Sequence, residues 1–186
     1  MNMTYAPLSD RELLGRLIGV RAASKVYQGS LAGLFSGHAQ HEKCAVAREL
    51  LMRSLSEGMR QGSTLTAPDA VKDFLRLHFT QREYESFVVL YLDAQHRLIN
   101  VEELFRGTLT QTSVYPREVV KASLRHNAAA VILSHNHPSG DTTPSRADEH
   151  LTQTLKQALA LVDVRVLDHV IIAGSASLSF AERGLL

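Results

Sequence analysis

The chain has 186 residues, of which 45% are apolar, and a net charge of +1, which suits one domain or one domain with a small accessory piece. Its single cysteine excludes an internal disulfide, a cysteine-based structural zinc site and the Cys-x-x-Cys zinc site of nucleobase deaminases. No segment approaches the roughly 18 consecutive apolar residues of a membrane span. The N-terminus lacks the basic and apolar stretches of a secretory signal, so we expect a cytoplasmic protein without a membrane partner.

Helical patterns dominate the first third of the chain. Ser9 or Asp10 can cap a helix over residues 11–18, whose leucines recur at helical spacing. A second apolar pattern covers about residues 42–58. A third helix is predicted from Pro68, because proline suits the first helical turn.

The period of the apolar pattern changes after the polar stretch at residues 61–64. Short apolar runs rich in β-formers predict strands, and segments that open with proline predict amphipathic helices. The predicted strands are 86–93, 98–105, 128–137 and 164–173, and the predicted helices run from Pro116 to about His126 and onward from Pro144. We therefore predict a mixed α+β (α/β) sheet domain at residues 63–186, preceded by a helical region at residues 1–62.

The most specific chemistry lies between Ser134 and Asp148. His135 and His137 are two apart at the end of a predicted strand, so both imidazoles lie on one face. The following turn leads into a helix whose first turn holds Ser145 and Asp148, and helical side chains lean toward the N-terminus, back to the histidines. Two imidazoles and one carboxylate, with a fourth position left for water, form the donor set of a catalytic zinc site.

A structural explanation of the same residues stays open. Ser145 and Asp148 also fit a Ser-x-x-Asp capping box, which needs no metal. A His-x-His pair alone is weak evidence in a chain with nine histidines. The whole spacing is rarer than its parts and favours a metal, either zinc or another ion that accepts imidazole ligands. Capping and metal binding are compatible within one helical turn.

The His-x-His and Ser-x-x-Asp spacing resembles the JAMM motif of the JAB/MPN metalloprotease fold. The longer stretch LFRGTLTQTSVYPREVVKASLRHNAAAVILSHNHPSGDTTPSRADE, with the later LDHVIIAG, is similar to the bacterial RadC family within that fold. This resemblance implies a mixed sheet flanked by helices and one zinc ion per chain on His135, His137 and Asp148. It also implies Glu102 as the catalytic glutamate and Ser145 as the residue that steadies the carbonyl oxygen of a peptide or protein substrate.

Elementary chemistry gives these residues compatible roles. A zinc-bound water needs a carboxylate that accepts its proton and returns one to the leaving amine, which suits Glu102 as general base and acid. Its strand position alone also fits a solvated edge glutamate. Asp168 and His169 fit either support for a metal ligand or a partly exposed strand pair, and His150 fits a surface residue. Asn136 points away from the two histidines in a regular strand, which predicts a structural role.

The helical region departs from the RadC pattern. LSDRELLGRLIG resembles the beginning of a helix-hairpin-helix region, but SGHAQHEKCAVARELLMRSL follows where a glycine-rich hairpin is expected. Backbone amides that approach phosphate need such glycines, so we expect a shortened region that packs or binds a partner. Two rivals to the hydrolase hypothesis remain: a DNA-associated repair or recombination factor, and a metal-holding scaffold without turnover.

Overall fold

The computed structural model describes residues 5, 7–27, 29, 41–62, 64, 68–80, 82–107 and 114–186. The chain divides into two compact units, Met1–Arg53 and Ser54–Leu186. The predicted domain boundary after residue 62 stays a prediction. Within the described ranges, no helix combines the length and the apolar character that crossing a membrane requires.

The first unit is helical and contains the first predicted helix and the beginning of the second. Its helices are α1 (Asp10–Ile18), α2 (Val20–Val26) and the beginning of α3 (Glu42–Gln61). Ser9 caps α1 in a reciprocal capping box with Glu12. The small hydrophobic core of this unit contains Leu14, Ile18 and Ala23. Residues 36–40 of the segment that replaces the expected hairpin lie outside the described residues.

The second unit is built around one sheet. Its further elements are α4 (Pro68–Phe79), β1 (Ser86–Leu92), β2 (Leu98–Arg106), α5 (Pro116–Arg125), β3 (Ala130–Asn136), α6 (Arg146–Ala160), β4 (Arg165–Ala173), β5 (Ala176–Ser179) and α7 (Phe180–Arg183). The strand order is β2-β1-β3-β4-β5. β1 is antiparallel to β2 and β3, β3 is parallel to β4, and β5 is antiparallel to β4. The predicted mixed sheet with flanking helices is confirmed.

Both faces of the sheet are covered. On one face, Phe87, Val89 and Leu133 pack in a single core cluster with Leu155 and Leu159 of α6. The intervening residues of β1 are also buried, and α4 and α7 pack on the sheet at β4. Continuous burial of all seven β1 residues explains why its sequence lacks polar alternation. β5 and α7 were not predicted, since four-residue elements give too short a pattern.

Candidate metal centre

The predicted metal ligands meet where β3 ends and α6 begins. β3 and β4 are parallel neighbours, and α6 is the connection between them. Ligand sites commonly lie at the carboxyl ends of parallel strands, because the connecting helix begins there. His135 lies near the end of β3, His137 follows the strand, and Asp148 is in the first turn of α6. The fold therefore brings residues from two elements to one edge of the sheet.

The three side chains converge through specific atoms. Nε2 of His135 lies 2.9 Å from Nε2 of His137 and 3.3 Å from Oδ1 of Asp148. Nε2 of His137 lies 3.7 Å from Oδ2 of Asp148. Ligand atoms about 2.0–2.1 Å from a tetrahedral zinc ion are roughly 3.3 Å apart. The donor atoms therefore have the separations that a shared ion requires, and they form the one such group found among the described residues.

A capping box sets the orientation of Asp148. Ser145 is the N-cap of α6, so the helix begins at Arg146 and not at Pro144, because the Ser145 hydroxyl accepts the backbone N–H of Asp148. In return, Oδ2 of Asp148 accepts both the hydroxyl and the backbone N–H of Ser145, each at 2.7 Å. Oδ1 stays directed toward His135. The capping and ligand interpretations of Asp148 are therefore geometrically compatible.

Hydrogen bonds to the other ring nitrogens determine how each histidine faces the centre. Nδ1 of His137 lies 2.7 Å from the carbonyl oxygen of Asp141. A carbonyl only accepts, so Nδ1 carries the proton and Nε2 of a neutral His137 offers a lone pair. Nδ1 of His135 is likewise engaged, at 2.8 Å from Nε2 of His169. Both Nε2 atoms thus face each other and the Asp148 carboxylate.

The environment of His135 favours the neutral ligand form. Its side chain is 2% exposed and its ring stacks on Phe87 with centroids 6.4 Å apart. Burial lowers the pKa of His135 to about 4, against the opposing effect of the Asp148 carboxylate, and His137 lowers the pKa further. Neutral nitrogen lone pairs and a carboxylate at these distances match the donor set of a divalent cation with an open fourth position.

Glu102 lies elsewhere on the same side of the sheet. Glu102 of β2 pairs with Val89 of β1, and His135 of β3 pairs with Phe87 of β1. Glu102 and His135 are therefore separated by β1 and are offset by two residues along that strand. Its carboxylate oxygens lie 2.6 Å from Nη2 of Arg125 and 2.9 Å from Nε2 of His126. These contacts direct Glu102 toward the C-terminal end of α5. Its predicted role as general base stays a prediction.

A second carboxylate, Glu85, directly precedes β1. Oδ1 of Asn136 accepts the backbone N–H of Ser86 at 2.8 Å, and its Nδ2 donates to the carbonyl of Tyr84 at 2.9 Å. Asn136 therefore holds the backbone on both sides of Glu85, which confirms its structural role. Glu85 lies two residues before Phe87, which pairs with His135 at this end of β3. Glu85 was not identified from the sequence, because this residue precedes the apolar run that predicts β1.

His169 is a further residue whose position the sequence did not determine. It is completely buried, so the alternative of a partly exposed strand pair is wrong for this residue. The register between β3 and β4 shifts after Val131 pairs with Val166, so that Ile132 pairs with Asp168 and Leu133 with His169. This extra residue in β4 brings His169 to the face that carries His135. Burial also lowers the pKa of His169 well below its ordinary value.

Comparison with known proteins identifies similar chains. A family model described as the RadC-like JAB domain matches residues 65–185. A UPF0758 protein of Variovorax paradoxus (strain S110) is 51% identical over 204 residues, covering 97% of this chain and 91% of the relative. One of Methylibium petroleiphilum is 56% identical over 179 residues, covering 96% and 79%. One of Dechloromonas aromatica is 57% identical over 173 residues, covering 92% and 76%.

Proposed function

Because this chain belongs to the family of RadC-like JAB domains, we propose that it is a zinc-dependent hydrolase that cleaves an amide bond in a peptide or protein. The observation that carries the proposal is the convergence of His135, His137 and Asp148 through two Nε2 atoms and a carboxylate oxygen. This donor set leaves a coordination position open for substrate or water, as catalytic zinc sites do and closed structural sites do not.

The three ligand residues would hold one zinc ion at the edge of the sheet. When bound, the ion would supply an activated water at neutral pH and polarise the amide carbonyl. His135 is held by the core, while His137 and Asp148 are partly exposed, with side-chain exposures of 17% and 14%. The buried histidine therefore fixes the site, and the other two ligands lie on the side that a substrate can reach.

A general base must accept a proton from the attacking water and deliver one to the leaving amine. Glu85 is the first candidate, because its flanking backbone is bonded to Asn136, which lies between the two histidines in the chain. Glu102 is the second candidate, on the family resemblance, and its carboxylate is engaged in ion pairs with Arg125 and His126. Substitution of each glutamate separately distinguishes the two assignments.

Ser145 has two roles in the proposal. Its hydroxyl donates to Oδ2 of Asp148 and so orients a ligand. Ser145 is also an exposed N-cap, so its hydroxyl is accessible to a substrate. A rotation of this hydroxyl toward a substrate would place a hydrogen-bond donor where the carbonyl oxygen gains negative charge.

Metal content is the first test of the function. The full chain is purified without a metal-affinity tag, and its zinc content is measured beside His135→Ala and the matched control His150→Ala, which alters an exposed histidine of α6. We expect about one zinc per chain in the wild type and the control, and loss of zinc in His135→Ala. A panel of peptide and isopeptide substrates is then assayed with zinc-loaded and chelated protein. A wild-type chain that stays free of metal when zinc is offered would contradict the proposal.

The rival role in DNA repair or recombination stays a prediction, as does a cytoplasmic location. Of the basic residues that could contact phosphate, Arg53 pairs with Glu49 at 2.7 Å, and Arg16 packs over the ring of Tyr5. These contacts do not favour a phosphate-binding surface. Binding to single- and double-stranded DNA at several salt concentrations tests it, since phosphate contacts give a steep salt dependence.

A further inference from the structure

A buried chain of hydrogen bonds leads from the metal centre to the backbone of α6. Nδ1 of His135 lies 2.8 Å from Nε2 of His169. Nδ1 of His169 lies 2.6 Å from Oγ1 of Thr152, and this hydroxyl lies 2.6 Å from the carbonyl oxygen of Asp148. The chain therefore starts at one predicted zinc ligand and ends on the backbone of another.

The proton positions in this chain follow from its last member. The Asp148 carbonyl can only accept, so the single hydroxyl proton of Thr152 points to it. The Thr152 oxygen must then accept a proton from Nδ1 of His169. With its proton on Nδ1, the imidazole of His169 has Nε2 as its acceptor atom. His135 therefore donates through Nδ1 and presents an unprotonated Nε2 to the metal centre.

Packing around His169 leaves little room for another arrangement. Its ring contacts Phe180 with centroids 4.8 Å apart and Phe87 at 5.8 Å, and Thr152 is also fully buried. A rotated imidazole or a different tautomer would leave a buried polar atom without a hydrogen-bond partner, which is unfavourable. Thr152 lies one helical turn after Asp148. One turn of α6 therefore holds a proposed ligand, Asp148, and the residue that acts on the proposed ligand His135 through His169.

We propose that His169 and Thr152 are positioning residues that hold His135 in the tautomer required for metal binding. This inference rests on the proposed function, since it assigns a task at the same centre. Neither His169 nor Thr152 binds the metal in this proposal. His169 acts through its hydrogen bond to His135, and Thr152 acts through its hydrogen bond to His169. The competing explanation is that His169 is a core histidine whose polar atoms happen to be satisfied.

Threonine variants separate the two explanations. Thr152→Val keeps the shape of the side chain but removes the hydroxyl, whereas Thr152→Ser keeps the hydroxyl. Thr154→Val is the matched control, because Thr154 makes the same kind of bond to the carbonyl of His150 at 2.9 Å in a more exposed position of α6. His169→Phe is the more drastic variant, and the threonine series decides the matter if that variant does not fold.

Two measurements are made on each variant. The 15N chemical shifts of the His135 ring in metal-free protein report which nitrogen carries the proton, and competition with a chromophoric chelator gives the affinity for zinc. We expect the Nδ1–H tautomer in the wild type, Thr152→Ser and Thr154→Val. We expect mixed tautomers in Thr152→Val, with zinc affinity lowered by about 10- to 100-fold, as for other residues that orient metal ligands.

The outcomes are distinct. An unchanged His135 tautomer and unchanged zinc affinity in Thr152→Val would overturn the inference, as would an equal loss of affinity in Thr154→Val or in Thr152→Ser. If the wild type binds no zinc, the proposed function fails, while the tautomer of His135 in the metal-free protein still tests the hydrogen-bond chain by itself.

Discussion

Ser145 and Asp148 bond to each other in both directions. The hydroxyl of Ser145 donates to Oδ2 of Asp148 at 2.7 Å, and the backbone N–H of Asp148 donates to that hydroxyl oxygen at 3.2 Å. The same carboxylate directs its Oδ1 to Nε2 of His135 at 3.3 Å. One capping box therefore starts a helix and orients the proposed metal ligand Asp148, so changes at Ser145 should affect stability and metal binding together.

Three substitutions at Ser145 separate its roles as a helix cap and as a catalytic donor. Ser145→Ala should lower the free energy of unfolding by about 1 kcal/mol, because the cap of α6 is lost, and should weaken zinc binding. Ser145→Thr should retain both functions. Ser145→Asn restores a cap without a hydroxyl, so it should retain stability but lose about 10²- to 10³-fold in kcat if the hydroxyl stabilises the carbonyl oxygen. Chemical denaturation, zinc titration and hydrolysis assays check these results.

If Ser145→Asn hydrolyses substrate at the wild-type rate, the hydroxyl acts only through the cap. Wild-type stability of Ser145→Ala would instead contradict the capping interaction itself.

The two glutamates are distinguished by matched amide substitutions. Glu85→Gln should lower kcat by about 10²- to 10⁴-fold and leave zinc content unchanged, because an amide cannot accept the proton of the attacking water. Glu102→Gln should weaken the ion pairs with Arg125 and His126 and leave kcat near that of the wild type. Activity is measured on a substrate identified from the peptide and isopeptide panel.

Arg125→Ala is the control for this comparison, since it breaks an ion pair of Glu102 and leaves both carboxylates intact. If Glu102→Gln abolishes hydrolysis while Arg125→Ala does not, Glu102 is the general base and Glu85 is not.

The choice of a general base illustrates where sequence inference is limited. The strands, the mixed sheet and the meeting of His135 with Asp148 follow from apolar periodicity, turn residues and the capping pattern, all of which are local signals. Whether a carboxylate lies beside the histidines depends instead on the register between β1 and its two neighbours. That register is a long-range property, and shifts within the pairing of β1 with β2 alter it further.

His169 illustrates a second limit. Its face depends on one extra residue in β4, between the partners of Val131 and Ile132. A regular strand would place Asp168, not His169, opposite Leu133. Such a bulge leaves no recognisable period in the nine residues of β4. The sequence could therefore name His169 as a candidate support for a metal ligand, but it could not distinguish that role from a partly exposed strand position.

Zinc should stabilise the folded chain in proportion to its binding. At a free zinc concentration about 100 times the Kd, mass action adds about 2.7 kcal/mol to the free energy of unfolding, which raises Tm by roughly 5–10 °C for a chain of this size. His137→Ala and Asp148→Asn should lose this increase, whereas the exposed-residue control His150→Ala should keep it. Thermal denaturation with and without a chelator measures the effect. A zinc-induced increase that survives in Asp148→Asn would place the ion elsewhere.

Asp168 should contribute to stability in a pH-dependent way that is independent of zinc. Its Oδ1 accepts the backbone N–H groups of His169 and Ala181, and its Oδ2 accepts the hydroxyl of Ser179, so it ties β4 to β5 and α7. Asp168→Ala leaves these donors without their acceptor and should cost about 1–3 kcal/mol. Asp168→Asn keeps an oxygen for the two N–H groups and should cost less.

The pH dependence follows from burial, which raises the pKa of Asp168 above its ordinary value although its hydrogen bonds oppose the shift. The folded state therefore holds the proton more tightly than the unfolded state, and the stability gained from this is complete below the unfolded pKa of about 3.9. It is lost as the pH rises through the raised folded pKa. Asp168→Asn has no such titration, so its stability relative to the wild type should increase as the pH rises above about 4. Denaturation of metal-free protein at a series of pH values measures this difference, and a stability difference that is constant with pH would show that burial does not perturb Asp168.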